Sequence, residues 1–428
     1  MNIPRKRLFW AVALGHAVND VFMSMGPVLL AFLSSTTMGI TNTQIGLAIG
    51  LQQLVGGFSQ PVFGLRADRV GGRWQGALGV AWTVGMFAIA VLLVALTQNY
   101  WLFVVPFVLV AFGSGAFHPV GGMHAAESDP AKVATSVSWF FLMGQLGLAA
   151  GPLIAGRLLN AASENGTRDI LTAMTQPTGF LSYHVSSPAS LTVVLILTPL
   201  AIPVAYLMAT TIPALAAHRT AHPPRVKSAT DTSSGFSIPY KAGGLLLALV
   251  ILRSLATPGS VSFIPVLFEQ KGWSPAEYGM ITSSFWIASG IAGVYFGGLA
   301  DRFDRRYVLA GSMIACAPAF FLLPTVDGTL AFVLAIAAGG LSGGSHSLIV
   351  VLAQEMMPSG KAFATGMALG VIFGMGALGS LFIGSLADTV GLGTAFQVVA
   401  VAVTLSGFLS FMIPLQQRTL IPVPAPGD

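Results

Sequence analysis
The chain has 428 residues, of which 54% are hydrophobic and 8% charged, and its mean hydropathy is +0.79; a soluble domain carries roughly 25% charged residues, so a water-soluble globular protein is excluded. The net charge of +5 is spread over the polar gaps without an aromatic platform, which excludes a nucleic-acid surface. The one cysteine, Cys316, lies in an apolar run, so an intramolecular disulfide and a thiolate metal cluster are excluded, and no cofactor is expected.

Apolar runs near 20 residues recur with short polar gaps, the length a helix needs to cross ~30 Å of hydrocarbon. None alternates polar with apolar as a membrane β-strand would. The fold class read from this is an all-α membrane protein of twelve transmembrane helices, at 8–33, 43–65, 74–96, 100–124, 133–159, 189–211, 242–268, 276–299, 307–324, 329–353, 362–387 and 394–414. Arg5, Lys6 and Arg7 precede a first span longer than the apolar core of a secretory signal, so that span is read as a retained helix. With the N-terminus in the cytoplasm, 16 of the 20 Lys and Arg fall on the cytoplasmic side, as the positive-inside rule requires, and both termini are cytoplasmic. A polar external loop covers 161–188. The segment 213–240, rich in Pro, Ser, Thr and His, reads as a cytoplasmic linker between six-helix bundles at 1–212 and 241–428.

The halves are repeats. GLRADRVGGR, from Gly64 to Arg73, returns as GGLADRFDRR, from Gly297 to Arg306, and Asp68 to Asp301, Arg69 to Arg302 and Arg73 to Arg306 are all 233 residues apart. His118 to His346 and Glu127 to Glu355 share a second offset, 228. Two related bundles usually close around a cavity at the bilayer middle.

Ionisable residues inside a span cost several kcal/mol unless paired or hydrated, which makes them functional candidates. Asp20 lies near the middle of the first span, His16 is one turn earlier on the same face, and Asn19 sits beside it. The residue 233 positions after Asp20 is Arg253, so opposite charges occupy equivalent places. Asp20 is expected to be the protonation site, with Arg253 tuning it or binding an anionic group of the substrate; a static ion pair between the halves is the competing expectation. His118 and His346 are expected in the cytoplasmic third of the fourth and tenth spans, where imidazoles could exchange protons. No cysteine or paired carboxylate converges on them in sequence, so no metal is expected. Gln52 and Gln145 are further cavity candidates. The Gly, Asp and Arg clusters, with Gly64, Asp68, Arg69 and Arg73 and then Gly297, Asp301, Arg302 and Arg306, suit a movable latch whose ion pairs form in one state and break in the other. In the fifth span, Gly147 and Gly151 form a close-packing face, Pro152 permits a bend, and Gly156 follows.

These motifs resemble the major facilitator superfamily over nearly the whole chain. GLRADRVGGR and its copy match the superfamily's loop motif, and GLAAGPLIAG, from Gly147 to Gly156, resembles the fifth-helix motif of proton-driven exporters. HAVND in the first span and GSGAFHP in the fourth resemble the fosmidomycin-resistance group of drug–proton antiporters, with Val120 where that group often has Glu. The resemblance implies a monomeric transporter of the cytoplasmic membrane with no enzymatic activity. It would export a small molecule against inward proton flow; uptake of a small organic acid with protons is the alternative.

Overall fold
The computed structural model describes residues 6–36, 38–70, 72–129, 133–165, 188–213, 240–356 and 361–413. These residues are almost entirely helical. The first half contains α1 (Arg7–Ser34), α2 (Asn42–Val70), α3 (Arg73–Thr97), α4 (Tyr100–Ser128), α5 (Val133–Asn165), a 3₁₀ stretch at Pro188–Leu200 and α6 (Ala201–Thr211). The second contains α7 (Tyr240–Val261), α8 (Ile264–Gln270), α9 (Pro275–Arg302), α10 (Arg305–Leu322), α11 (Gly328–Met356), α12 (Lys361–Val390) and α13 (Leu392–Met412). The expected linker and most of the 161–188 loop lie outside the described residues.

Eleven helical segments are long and apolar enough to cross a membrane. α2 is the exception. It is 29 residues long, but Asn42, Gln44, Gln52, Gln53 and Gln60 dilute its hydropathy. Packing accounts for part of that dilution: Gln53 donates to Ser380 of α12 in the other half at 3.4 Å, and Gln52 is buried. The outer surface is apolar instead, with Phe58, Leu96 and Ile202 more than 70% exposed. Buried polar side chains such as Asn19, Thr83 and Arg253 occupy the interior, the distribution a hydrocarbon solvent selects.

Two spans differ from the sequence expectation. The sixth begins as a 3₁₀ stretch that contains Pro199 and becomes regular helix from Ala201. The seventh breaks between Val261 and Ile264, where the ring of Pro265 would clash with the carbonyl of Val261. Local caps set the other boundaries. Asn99 accepts from the amides of Trp101 and Leu102 to start α4, and Ser274 with Glu277 forms a capping box at α9.

The halves meet along two seams, α2 on α12 and α5 on α9. Glycines make both close. A Cβ on Gly50 would lie 2.7 Å from the carbonyl of Ala377, and one on Gly279 would strike the carbonyl of Pro152. Among the described residues, most polar contacts joining the halves lie at the end where α2 and α9 begin and α5 and α12 finish, with Gln53–Ser380 and Ser283–Ala149 further inside. Asp388, near the end of α12, accepts from the amide and side chain of Asn42 at 3.0 Å each and from the amide of Thr43 at 2.8 Å, so it caps α2 from the opposite half. Gln270 donates to Asn42 at 3.1 Å, Ser34 to Glu269 at 3.2 Å, and Ser283 to the carbonyl of Ala149 at 2.6 Å.

This closed end depends on Asp388. Asp388→Ala removes three hydrogen bonds to a carboxylate, and after discounting for solvent screening the seam should open more often by about fivefold, roughly 1 kcal/mol. With Cys316→Ser removing the native thiol, a cysteine introduced by Ser380→Cys, buried in this seam, should react with a maleimide faster by that factor.

Candidate functional site
Asp20 stands halfway along α1 with 9% of its side chain exposed, and two imidazoles close on it. His16 Nε2 is 3.3 Å from Asp20 Oδ2, and His118 Nε2, arriving from α4, is 3.5 Å from Asp20 Oδ1. The second contact was not expected. Residue counting puts His118 nearer the cytoplasmic end, but α4 continues to Ser128, and the crossing of α1 and α4 brings His118 level with Asp20.

The other ring nitrogens are already committed. His16 Nδ1 lies 2.8 Å from the carbonyl of Phe140, and His118 Nδ1 lies 2.8 Å from the carbonyl of Ser114. A carbonyl can only accept, so both Nδ1 atoms carry hydrogen. Each neutral ring therefore turns a lone pair on Nε2 toward the carboxylate. Lone pairs at 3.3 and 3.5 Å repel unless something positive lies between them, so the arrangement favours a cation or a hydrogen between the rings and the carboxylate. The three ligand atoms are also within 4.8 Å of one another, close enough for one metal ion to touch all three.

Neighbours hold this geometry. Asn19 Nδ2 donates to Asp20 Oδ1 at 2.9 Å and to Ser114 Oγ at 3.0 Å, while Thr83 Oγ1 donates to Asn19 Oδ1 at 3.0 Å. The His16 ring stacks on Phe140 with centroids 4.1 Å apart. His118 is the accessible member, with a quarter of its side chain exposed. Thr83, Ser114 and Phe140 were missed by the sequence reading. Ser114, one turn before His118, could have been found from spacing; Thr83 and Phe140 sit on other helices, and nothing local marks them.

α5 touches both the cluster and the far half. Gly147 and Gly151 face α1: a Cβ on Gly147 would lie 2.5 Å from the carbonyl of Ala17, and one on Gly151 would meet Ser24 and Val21. Pro152 and Gly156 face α9 at Gly279 and Pro275. Gly144 leaves room for the His16 ring, since a Cβ there would meet that ring and come within 2.9 Å of Asp20 Oδ2.

The remaining candidates scatter. Arg253 is buried, and its Nε donates to Ser345 Oγ at 3.0 Å. Among the described residues Asp20 pairs only within its own half, so the expected static Asp20–Arg253 ion pair is not formed. Gln52 donates to the carbonyl of Phe107 at 3.2 Å, joining α2 to α4 rather than facing a cavity. Gln145 is half-buried at the α5–α9 seam against Gly290. His346, Asp68, Arg69, Gly297 and Asp301 lie on described helices, but their side chains are outside what the structure describes.

A Cβ on Gly64 would make ordinary contact with Pro119, and Arg302 is exposed on the last turn of α9. Arg73 and Arg306 each tie two helices of one half: Arg73 Nε donates to the carbonyl of Ala209 on α6, and Arg306 Nη1 to that of Ile413 at 3.1 Å. These contacts join helices within one half, whereas the hydrogen bonds of Asp388 join the two halves. The capping acid found in the second copy is Asp304, whose Oδ1 accepts from the Arg306 amide at 2.9 Å. Arg306 holds the Asp304 carboxyl below the usual carboxylate range.

A helical membrane fold in two halves, with a buried acid and two imidazoles at mid-depth, defines a polytopic membrane transporter. A sequence model of the Major Facilitator Superfamily matches residues 12–168 and 245–427, and the chain belongs to that superfamily. It is 26% identical over 414 residues to the uncharacterized MFS-type transporter YfnC of Bacillus subtilis, covering 95% of this chain and 92% of that one. It is 24% identical over 405 residues to the fosmidomycin resistance protein of Escherichia coli, covering 94% and 92%. Its fold matches the crystal structure of a bacterial homolog of the human lysosomal transporter Spinster, in an inward-facing and occupied conformation, with a TM-score of 0.74, 15% identity, and 96% and 97% of the two chains covered.

The geometry predicts a contrast between two glycines. Gly144→Ala forces a methyl against a ring already fixed by Phe140, an overpacking cost of about 1–3 kcal/mol, and should lower the unfolding temperature in detergent by several degrees. Gly85→Ala, where a Cβ meets nothing within 4 Å, should leave it unchanged or slightly higher.

Proposed function
We propose that this transporter exports a small amphipathic or anionic molecule across the cytoplasmic membrane against inward proton flow, by alternating access. The observation that carries the reading is the Asp20 carboxylate held between two imidazoles whose Nδ1 atoms are both committed to carbonyls, so that the contact atoms need shared protons. The likeness to the E. coli fosmidomycin resistance protein makes a fosmidomycin-like antibiotic the first substrate to try.

With basic residues on the cytoplasmic side, both termini lie inside and the end closed by Asp388 faces outward. This conformation then receives substrate from the cytoplasm. His118 is the port through which protons leave the cluster, and Asp20 and His16 are the deeper store. Losing protons changes the charge against which α5 packs, and α5 carries that change to the seam through its second face at Pro152 and Gly156. Substrate and proton each bind one state better than the other, which is what coupling requires. Arg253 and His346 supply the second half's contribution to an anionic substrate. The two bundles, 1–212 and 241–428, rock as units about the 213–240 linker, and the transporter acts as a monomer. Uptake of a small organic acid with protons is the second reading, favoured by the buried Arg253 guanidinium.

Purified protein in liposomes with an imposed pH gradient, an internal pH dye and a drug panel including fosmidomycin separates these readings. Substrate and proton should move in opposite directions, and Asp20→Asn should reduce both fluxes to the level of protein-free vesicles. Movement in one direction would replace export by uptake. Unchanged pH dependence in Asp20→Asn would remove Asp20 from the mechanism, and loss of transport on adding a chelator would assign the cluster to a metal ion instead of protons.

A further inference from the structure
Arg73 and Arg306 occupy equivalent positions in the two repeats, and their surroundings agree in two respects and differ in a third. Each guanidinium lies over the aromatic ring that follows it, 5.6 Å from Trp74 and 5.9 Å from Tyr307. Each donates to a carbonyl at the end of the last helix of its half. Arg306, however, is neutralised from within: its Nη2 is 2.7 Å from Asp304 Oδ2, and its Nε is 3.2 Å from both carboxylate oxygens. The position equivalent to Asp304 in the first repeat is Gly71. Among the described residues no carboxylate is within ion-pair distance of Arg73, and Nε is the atom it gives to the protein.

Beside this cation a groove of about 280 Å³ runs between α3 and α6, lined by Arg73, Trp74, Leu78, Ala81, Ala205 and Tyr206. Trp74, Leu78 and Tyr206 are each more than 60% exposed, so the groove faces the bilayer and not the protein interior. Away from Arg73 its walls are apolar except at Thr210 and Tyr206. One end thus offers a guanidinium without an internal counter-charge, which suits a phosphate, and the remainder offers a wall for hydrocarbon. A zwitterionic lipid brings its own cation; an anionic one supplies the missing charge. The basic residues around this end place it in the cytoplasmic leaflet.

We propose that the α3–α6 groove is a binding site for an anionic phospholipid, with the headgroup phosphate on Arg73 and an acyl chain along Leu78, Ala81 and Ala205. The site stands apart from the proton cluster and does not depend on the direction of transport.

The test is native mass spectrometry of the full chain in detergent with equal amounts of phosphatidylglycerol and phosphatidylcholine of the same chain length. Wild type should retain one phosphatidylglycerol in preference to phosphatidylcholine by about fivefold, the factor for one added charge contact at a membrane surface. Gly71→Asp keeps Arg73 and places a carboxylate two residues before it in sequence, as Asp304 stands before Arg306, so it should bring the ratio to one. Ala205→Trp fills the groove and should remove bound lipid of both kinds, and millimolar inorganic phosphate should not displace the phosphatidylglycerol. A wild type without preference, as would follow if Asp68 neutralised Arg73, overturns the proposal. So does a Gly71→Asp protein that elutes as a single species and keeps the wild-type ratio, or displacement by free phosphate.

Discussion

A carboxylate placed halfway through a bilayer cannot stand alone, and much of the first half of this protein is arranged around that constraint. Asp20 is kept by two imidazoles, each oriented by a backbone carbonyl, and by the amide of Asn19, itself held by Thr83 and Ser114. Residues from α1, α3, α4 and α5 thereby meet at one point. Had α4 or α5 packed a turn higher or lower, Asp20 would lose His118 or the Phe140 carbonyl that orients His16.

The same requirement explains the distribution of glycine. Helices in lipid gain little from excluding water, so they associate where small residues let their backbones approach. α5 uses this twice, pressing Gly147 and Gly151 on α1 beside Asp20 and Pro152 and Gly156 on α9 across the seam. One element thus contacts the Asp20 cluster and the partner half together. The other seam, α2 on α12, depends on glycines for closeness and on Asp388 for its polar lock. This seam is thus made of small residues and a few hydrogen bonds.

The two repeats also show what duplication leaves unequal. Both halves hold an arginine over an aromatic ring and tie it to their last helix, but only the second supplies a carboxylate among the described residues. Asp20 and Arg253 diverge likewise: equivalent in sequence and opposite in charge, they make contacts inside their own halves, Asp20 with histidines and Arg253 with Ser345. Such pairs mark where the halves have taken separate tasks.

Much of this was legible in the amino-acid order. The membrane class, the number of spans, the repeat and the candidacy of Asp20 follow from local quantities: a run of about 20 apolar residues must cross the bilayer, and a charge within it must be accounted for. The i, i+4 pairing of His16 with Asp20 is likewise a property of one helix. Relations between helices were not legible. That His118 lies level with Asp20, that Gln52 serves packing, that Asp388 caps α2 from 346 positions away, and that Arg73 has a groove beside it depend on how helices cross and slide. In a membrane the apolar pattern that would reveal a buried face in water is flattened, because lipid and protein interior are nearly alike to a leucine. The sequence alone therefore determined which segments span and which charges need partners, and the tertiary structure decided which partners they have.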